Sequence, residues 1–151
     1  MKTRFKAIPI MLIAALLMAP VMATANTTNP SPASPGFMVL PIVFDRTVAT
    51  ASAPVIFRIK MPFAARVISV TASAETIDLT SGDETYTVDV LEAGTSILSS
   101  AISIAAQATV YQGTVSDAAL ADEAVVTGVL TAAGTTPSIS TVTVLLVLKR
   151  L

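Results

Sequence analysis

Three carboxylates surround a glycine turn in DLTSGDE, where Asp78, Asp83 and Glu84 flank Gly82. Oxygen ligands gathered on a loop are what a hard cation such as Ca²⁺ takes. The spacing is not that of an EF-hand, and no later glutamate completes a bidentate set. The stretch therefore reads as a solvated hairpin loop. A second group, Asp117, Asp122 and Glu123, lies in SDAALADEA. Paired carboxylates perform acid–base work when their surroundings push their pKa values apart. In this stretch the residue types read instead as a cap followed by a solvated face. Serine and threonine are abundant, with 20 threonines alone, but the chain has no histidine and no cysteine. No Ser-His-Asp or Cys-His nucleophile can be assembled, and no thiolate is present to bind a metal. The expectation is a protein with no catalytic residue, no cofactor and no metal.

The elements that carry these residues are strands. Of the 151 residues, 53% are hydrophobic but only 5% aromatic, so the apolar content is alanine, valine, isoleucine and leucine. Charged residues make up 13%, about half the usual share. From Phe37 onward, short alternating segments are separated by turn residues around Gly82, Gly94, Gly134 and Pro137. Eight strands are expected, over 38–44, 54–61, 65–74, 85–91, 96–104, 109–115, 124–131 and 139–149. That number at that spacing suggests an antiparallel sandwich or barrel, and the fold expected for residues 37–151 is the all-β, antiparallel β-sandwich, jelly-roll-like. Only Ser116–Ala124 has a helical look, and it is barely two turns long.

One break is informative. In FRIKMPFAARVISV, Val55, Phe57, Ile59 and Met61 share one face while Arg58 and Lys60 share the other. Pro62 then interrupts the pattern. Proline cannot donate to a sheet ladder, so the chain is expected to cross at Pro62-Phe63 from one strand to the next, and from one sheet to the other, with Phe63 filling the corner.

The first 25 residues have a basic start at Lys2, Arg4 and Lys6, an apolar run over Ala7–Met22 and an Ala-Thr-Ala site ending at Ala25. That is the layout of a secretory signal peptide. The run is shorter than the roughly 20 residues a span requires and contains two prolines, so a membrane would be touched only through residues 1–25 if they stayed uncut. Residues 26–36, with Pro30, Pro32 and Pro35, form a Pro-rich arm. Beyond residue 25 the chain carries six basic and ten acidic residues, a net charge of −4, and nothing from Val67 to Leu148 is basic. Nucleic-acid binding needs clustered basic residues and is not expected.

The final stretch, TVTVLLVLKRL, is apolar on both faces in its second half. Val142, Val144, Leu146 and Leu148 lie on one face, with Leu145 and Val147 on the other. An apolar outer face marks a central strand or a covered one, and Lys149 and Arg150 act as a charged stop. Leu145, Val147, Pro30, Pro32 and Pro35 are therefore the expected contacts of a homo-oligomer, a trimer or a larger lattice.

PFAARVISVTASA, TYTVDVLEAGTSILSS, TVYQGTVSDAALADEAVVTGVLTAAG and STVTVLLVLKR together resemble a β-sandwich module of tailed-phage virion proteins, of the capsid decoration, head-fibre and tail-associated type. The resemblance spans roughly Val55 to Leu151. It implies a structural, oligomeric role in a virion, with other virion proteins as partners, and transfers no catalytic residue. The signal-like residues 1–25 keep a second role open, a secreted cell-surface or filament subunit that polymerises by strand addition from its arm.

Overall fold

The computed structural model describes residues 36–151. The apolar segment and Pro30, Pro32 and Pro35 of the arm lie outside the described residues. Ten strands follow in order: β1 (Phe37–Val48), β2 (Val55–Lys60), β3 (Ala65–Asp78), β4 (Thr85–Glu92), β5 (Thr95–Ser96), β6 (Ile102–Ser103), β7 (Tyr111–Gly113), β8 (Ala119–Leu120), β9 (Val125–Ala133) and β10 (Ser138–Arg150). They form two antiparallel sheets. The first has the order β1-β10-β3-β7 with β8 also on β3, and the second has β2-β9-β4-β5 with β6 also on β4. If β5 and β6 are taken as one interrupted strand and β8 as an extension beside β3, the expected eight strands remain, in jelly-roll order. The chain changes sheet at almost every connection, so each sheet is built from residues distant in sequence.

Alternation builds the core. Val142, Val144, Leu146 and Leu148 of β10 and Val67, Val70, Ala72 and Ala74 of β3 are buried, facing Tyr86, Val88 and Val90 of β4 and Val126, Leu130 and Ala132 of β9. Most of these side chains are small or β-branched and suit a thin pleated layer. Phe57 is a larger side chain that needs room made for it. Its ring lies over Gly128, its cross-strand partner on β9, and a Cβ at Gly128 would come within 2.1 Å of the ring. Glycine is required there because the aromatic ring occupies the space of the missing side chain.

The crossing at Pro62 is as the sequence predicts. β2 belongs to the second sheet and β3 to the first. Before the crossing, the Met61 N–H donates to the Ala124 carbonyl at 2.8 Å. After it, Phe63 packs partly buried against the core with the Arg150 guanidinium 4.9 Å from its ring centroid, and the Leu151 N–H donates to the Ala64 carbonyl.

Two local expectations need correction. Ser116–Ala124 forms no helix. The Asp117 carboxylate instead accepts from the Ala119 N–H, Leu120 is buried, and Ala119–Leu120 pair with β3. Two turns are too few to offset helix nucleation when a neighbouring strand offers partners. The segment 96–104 is not one strand either. Leu98 turns into the core and pairs with Val115 in an isolated bridge, which leaves the short β5 and β6 on either side.

Candidate functional site

The carboxylates with the strongest chemical pattern lie at one end of the sandwich, in the β3–β4 loop, and face the β9–β10 loop. Asp83 accepts from the Thr135 hydroxyl at 2.6 Å and from its N–H. Glu84, the one buried charged residue among those described, accepts from the N–H groups of Gly82 at 2.9 Å and Ser81 at 3.2 Å. Asp78 accepts from the Thr80 hydroxyl and N–H. Behind them the buried Tyr86 hydroxyl donates to the Asp78 carbonyl and accepts from the Ser138 N–H. These bonds set the electrostatics. The Thr80 hydroxyl, and then its N–H, hold Asp78 below its ordinary value, and the Thr135 hydroxyl and N–H do the same for Asp83. Burial pushes Glu84 up, but hydrogen bonds from Ser81 and from nearby backbone N–H groups together bring it below its ordinary value. Asp83 fastens the β3–β4 loop to the β9–β10 loop, while Asp78 and Glu84 mainly hold their own loop in shape. No three acidic or other ligating side chains are grouped to hold a metal among the described residues.

The second acidic group does not converge. Asp117 caps Ala119, and Glu123 reaches Lys60 in an exposed ion pair at 3.0 Å. An open groove of about 410 Å³ beside β3 is lined by Arg66, Ile68, Val115, Ala118 and Lys149, among others. Its charged side chains, Arg66 and Lys149, are both cationic, and Leu151 also lines it, so it presents no side-chain acid–base pair.

The outer face of the first sheet is the distinctive surface. Leu145 and Val147 project from β10, which lies between β1 and β3, and they are half-buried beneath their neighbours. They are flanked by residues that are more exposed: Phe37 at 67%, Val39 at 54%, Val43 at 57% and Ile68 at 45%. Register places Val39 against Val147 and Pro41 against Leu145, which makes a continuous apolar stripe. Ile68 stands out because β3 bulges there, with Val67 and Ser69 opposite Leu148 and Val147. Leu145 and Val147 were legible in the sequence. The β1 half of the stripe was not singled out, because only the register shows that β1 lies beside β10. The signal was present in the alternation of Phe37, Val39, Pro41 and Val43. Pro41 sits inside edge strand β1, where a missing N–H hinders further strand addition.

In comparisons with known proteins, the chain is similar to a chain of a solved structure, the cyanophage Pam1 capsid asymmetric unit. The TM-score is 0.52 at 21% sequence identity, and the match covers 86% of this chain and 100% of that one. No protein-family model matches the chain, and no curated protein does. At that identity the likeness concerns the fold. The match takes in the whole length of the neighbour's chain.

Proposed function

We propose that this protein is a non-enzymatic structural subunit of a bacteriophage virion, a capsid decoration or fibre-like protein that self-associates and docks on other virion proteins. The observation that carries the reading is the likeness of the whole sandwich to a complete chain of a phage capsid asymmetric unit. The surface chemistry supports it. The carboxylates are occupied in fastening loops, while an apolar stripe through Val39, Val147, Pro41 and Leu145 is left on the outside, as interfaces require. Pro41 on the free edge favours contact by the sheet face over polymerisation by strand addition.

Mass spectrometry of purified particles from the source tests the reading. The protein is expected at a fixed ratio to the major shell protein, with residues 1–25 retained in its intact mass. Its absence from particles, or its recovery from culture medium as a chain beginning at Asn26, overturns the reading.

A further inference from the structure

The charges on the outer face of the first sheet are laid out in rows. One end row is Phe37, Lys149 and Arg66, in register across β1, β10 and β3. Lys149 and Arg66 lie directly opposite each other, a like-charge pairing that destabilises a sheet unless something neutralises it. Neither takes part in an ion pair among the described residues. The row at the other end holds Asp45 on β1, Thr141 on β10 and Glu75 on β3. There β1 bulges between Phe44 and Thr47, placing Asp45 and Arg46 opposite Thr141, whose hydroxyl donates to Asp45. Glu75 is exposed and also unpaired among the described residues. Midway between the two ends is the apolar row of Pro41, Leu145 and the register partner of Leu145 on β3, Thr71. From Lys149 to Thr141 the strand rises about 26 Å at about 3.3 Å per residue.

We infer that this face binds the same face of a second copy around a two-fold axis that crosses the strands at the Pro41–Leu145–Thr71 row. The inference rests on the reading of the protein as a self-associating subunit and specifies how it does so. Of the two-fold axes that lie in the plane of a face-to-face contact, two keep the strands of the copies aligned. An axis along the strands lays Arg66 and Lys149 over the basic end of the second copy. An axis across the strands reverses strand direction and keeps β3 over β3, so that Arg66 meets the second copy's Glu75. Leu145 then meets Leu145, and Val39 meets Val43. Only the second arrangement sets a carboxylate, Glu75, against the like-charge row, and it lays Val39 on Val43 and Leu145 on Leu145 while Val147 covers Thr143 and Lys149 covers Thr141. It is isologous, as two-fold contacts are, so one set of residues serves both partners. Three strands about 4.8 Å apart span about 14 Å. The face is therefore small beside interfaces of roughly 800 Å² per partner, and the pair is reversible and concentration-dependent.

Sedimentation of the full chain over a concentration series tests this, with charge swaps on the face. Arg66→Glu alone and Glu75→Arg alone each weaken the dimer by about tenfold or more, because each brings like charges together across the contact. The double swap restores it to within about threefold, since the pairing is re-formed with its sign reversed. A short bismaleimide offers an independent readout in this cysteine-free chain. Leu145→Cys, on the axis, cross-links to itself as a dimer, whereas Leu91→Cys on the other sheet does not. Two results overturn the inference. One is self-association unchanged by either single swap and uncaptured at Leu145→Cys, which moves self-contact to another surface and leaves the virion reading intact. The other is a chain that is monomeric at every concentration, which leaves the face to a shell protein or to residues 1–35. Particle mass spectrometry answers independently of both.

Discussion

The two sheets have similar inner faces and different outer ones. Inside, both present small and β-branched residues, Val70, Ala72 and Val144 on one side and Val88, Val90 and Val126 on the other, all buried. Outside, the β2–β9–β4 sheet interrupts its apolar residues. Register puts Thr87 beside Thr131, Val129 between Asp89 and the exposed Val55, and Thr127 between Leu91 and Arg58, so Val55 and Val129 form a short apolar pair bounded by threonine and charge. The outer face of the β1–β10–β3 sheet instead gathers Val39, Val147, Pro41 and Leu145 into one stripe and sends its charges to the two ends. Folding requires both inner faces to be apolar but asks nothing of either outer face beyond solubility. The asymmetry therefore points to assembly. A face that serves only solvent interrupts its apolar residues, and a face that meets a partner collects them.

The most severe way to break the comparison is through the core that both outer faces share. At Gly128→Ala the new methyl would sit inside the Phe57 ring. The ring is buried at a strand bulge. The expected loss is about 3 kcal/mol or more, at the upper end for overpacking, read as a lower denaturation midpoint. Wild-type stability would mean that the ring has another seat. Next in size is the contrast between the faces themselves. Leu145→Lys with Val147→Lys should dissociate the protein while its β-type circular dichroism persists. The same change at Leu91 and Val129 on the other sheet should leave light scattering unchanged. Unfolding of the first pair, or dissociation by the second, would remove the asymmetry.

A smaller effect separates the loop end from both faces. Asp78, Asp83 and Glu84 are held below their ordinary values, 3.8 for the aspartates and 4.5 for the glutamate. Groups with depressed folded-state pKa values contribute stability that is fully present above the unfolded value and is lost as pH falls through the folded one. Acidification below about pH 4 should therefore release the β3–β4 loop from the β9–β10 loop, seen as shifts of the Gly82 and Thr135 amide resonances while core resonances stay in place. Glu84→Gln should lower stability at neutral pH and flatten that acid response. Simultaneous loss of core and loops would show that the fastening is global.

Much of this architecture could be read from the chain, and the limits have physical causes. Long strands such as β10 and β3 announce themselves, because an alternating run of apolar residues admits one pairing face. The crossing at Pro62 was legible for a related reason: a missing N–H has few places to go. The short pieces β5, β6 and β8 were not, since two residues carry no period and their conformation is set by what they touch, as when Leu120 is drawn into the core beside Ala65. Gly128 looked like any strand glycine until Phe57 was seen above it. The apolar stripe was half legible. Leu145 and Val147 stood out within one strand, but Val39 and Pro41 joined them only through a register between the first strand and the last. Charge rows that run across three strands far apart in sequence cannot be read along any one of them.

The smallest expected effect sharpens the comparison most finely, because it concerns the same kind of charge on the two faces. On the β2–β9–β4 side Lys60 is satisfied within its own chain by Glu123 at 3.0 Å, with both side chains largely exposed. Exposed pairs of this sort contribute roughly 0–1 kcal/mol, because water solvates the separated charges almost as well and two long side chains lose freedom in meeting. Lys60→Ala should therefore shift the denaturation midpoint barely, and the sedimentation of the protein not at all. On the β1–β10–β3 side Arg66 makes no such pair among the described residues and faces Lys149 instead. Arg66→Ala should relieve that repulsion, so the isolated chain gains a few tenths of a kcal/mol in stability while self-association weakens. Opposite signs for stability and association at Arg66, set against no change in either at Lys60, would identify Arg66 as a charge reserved for a partner. A loss of both at Arg66 would make it an ordinary structural residue, and the difference between the faces would rest on the apolar stripe alone.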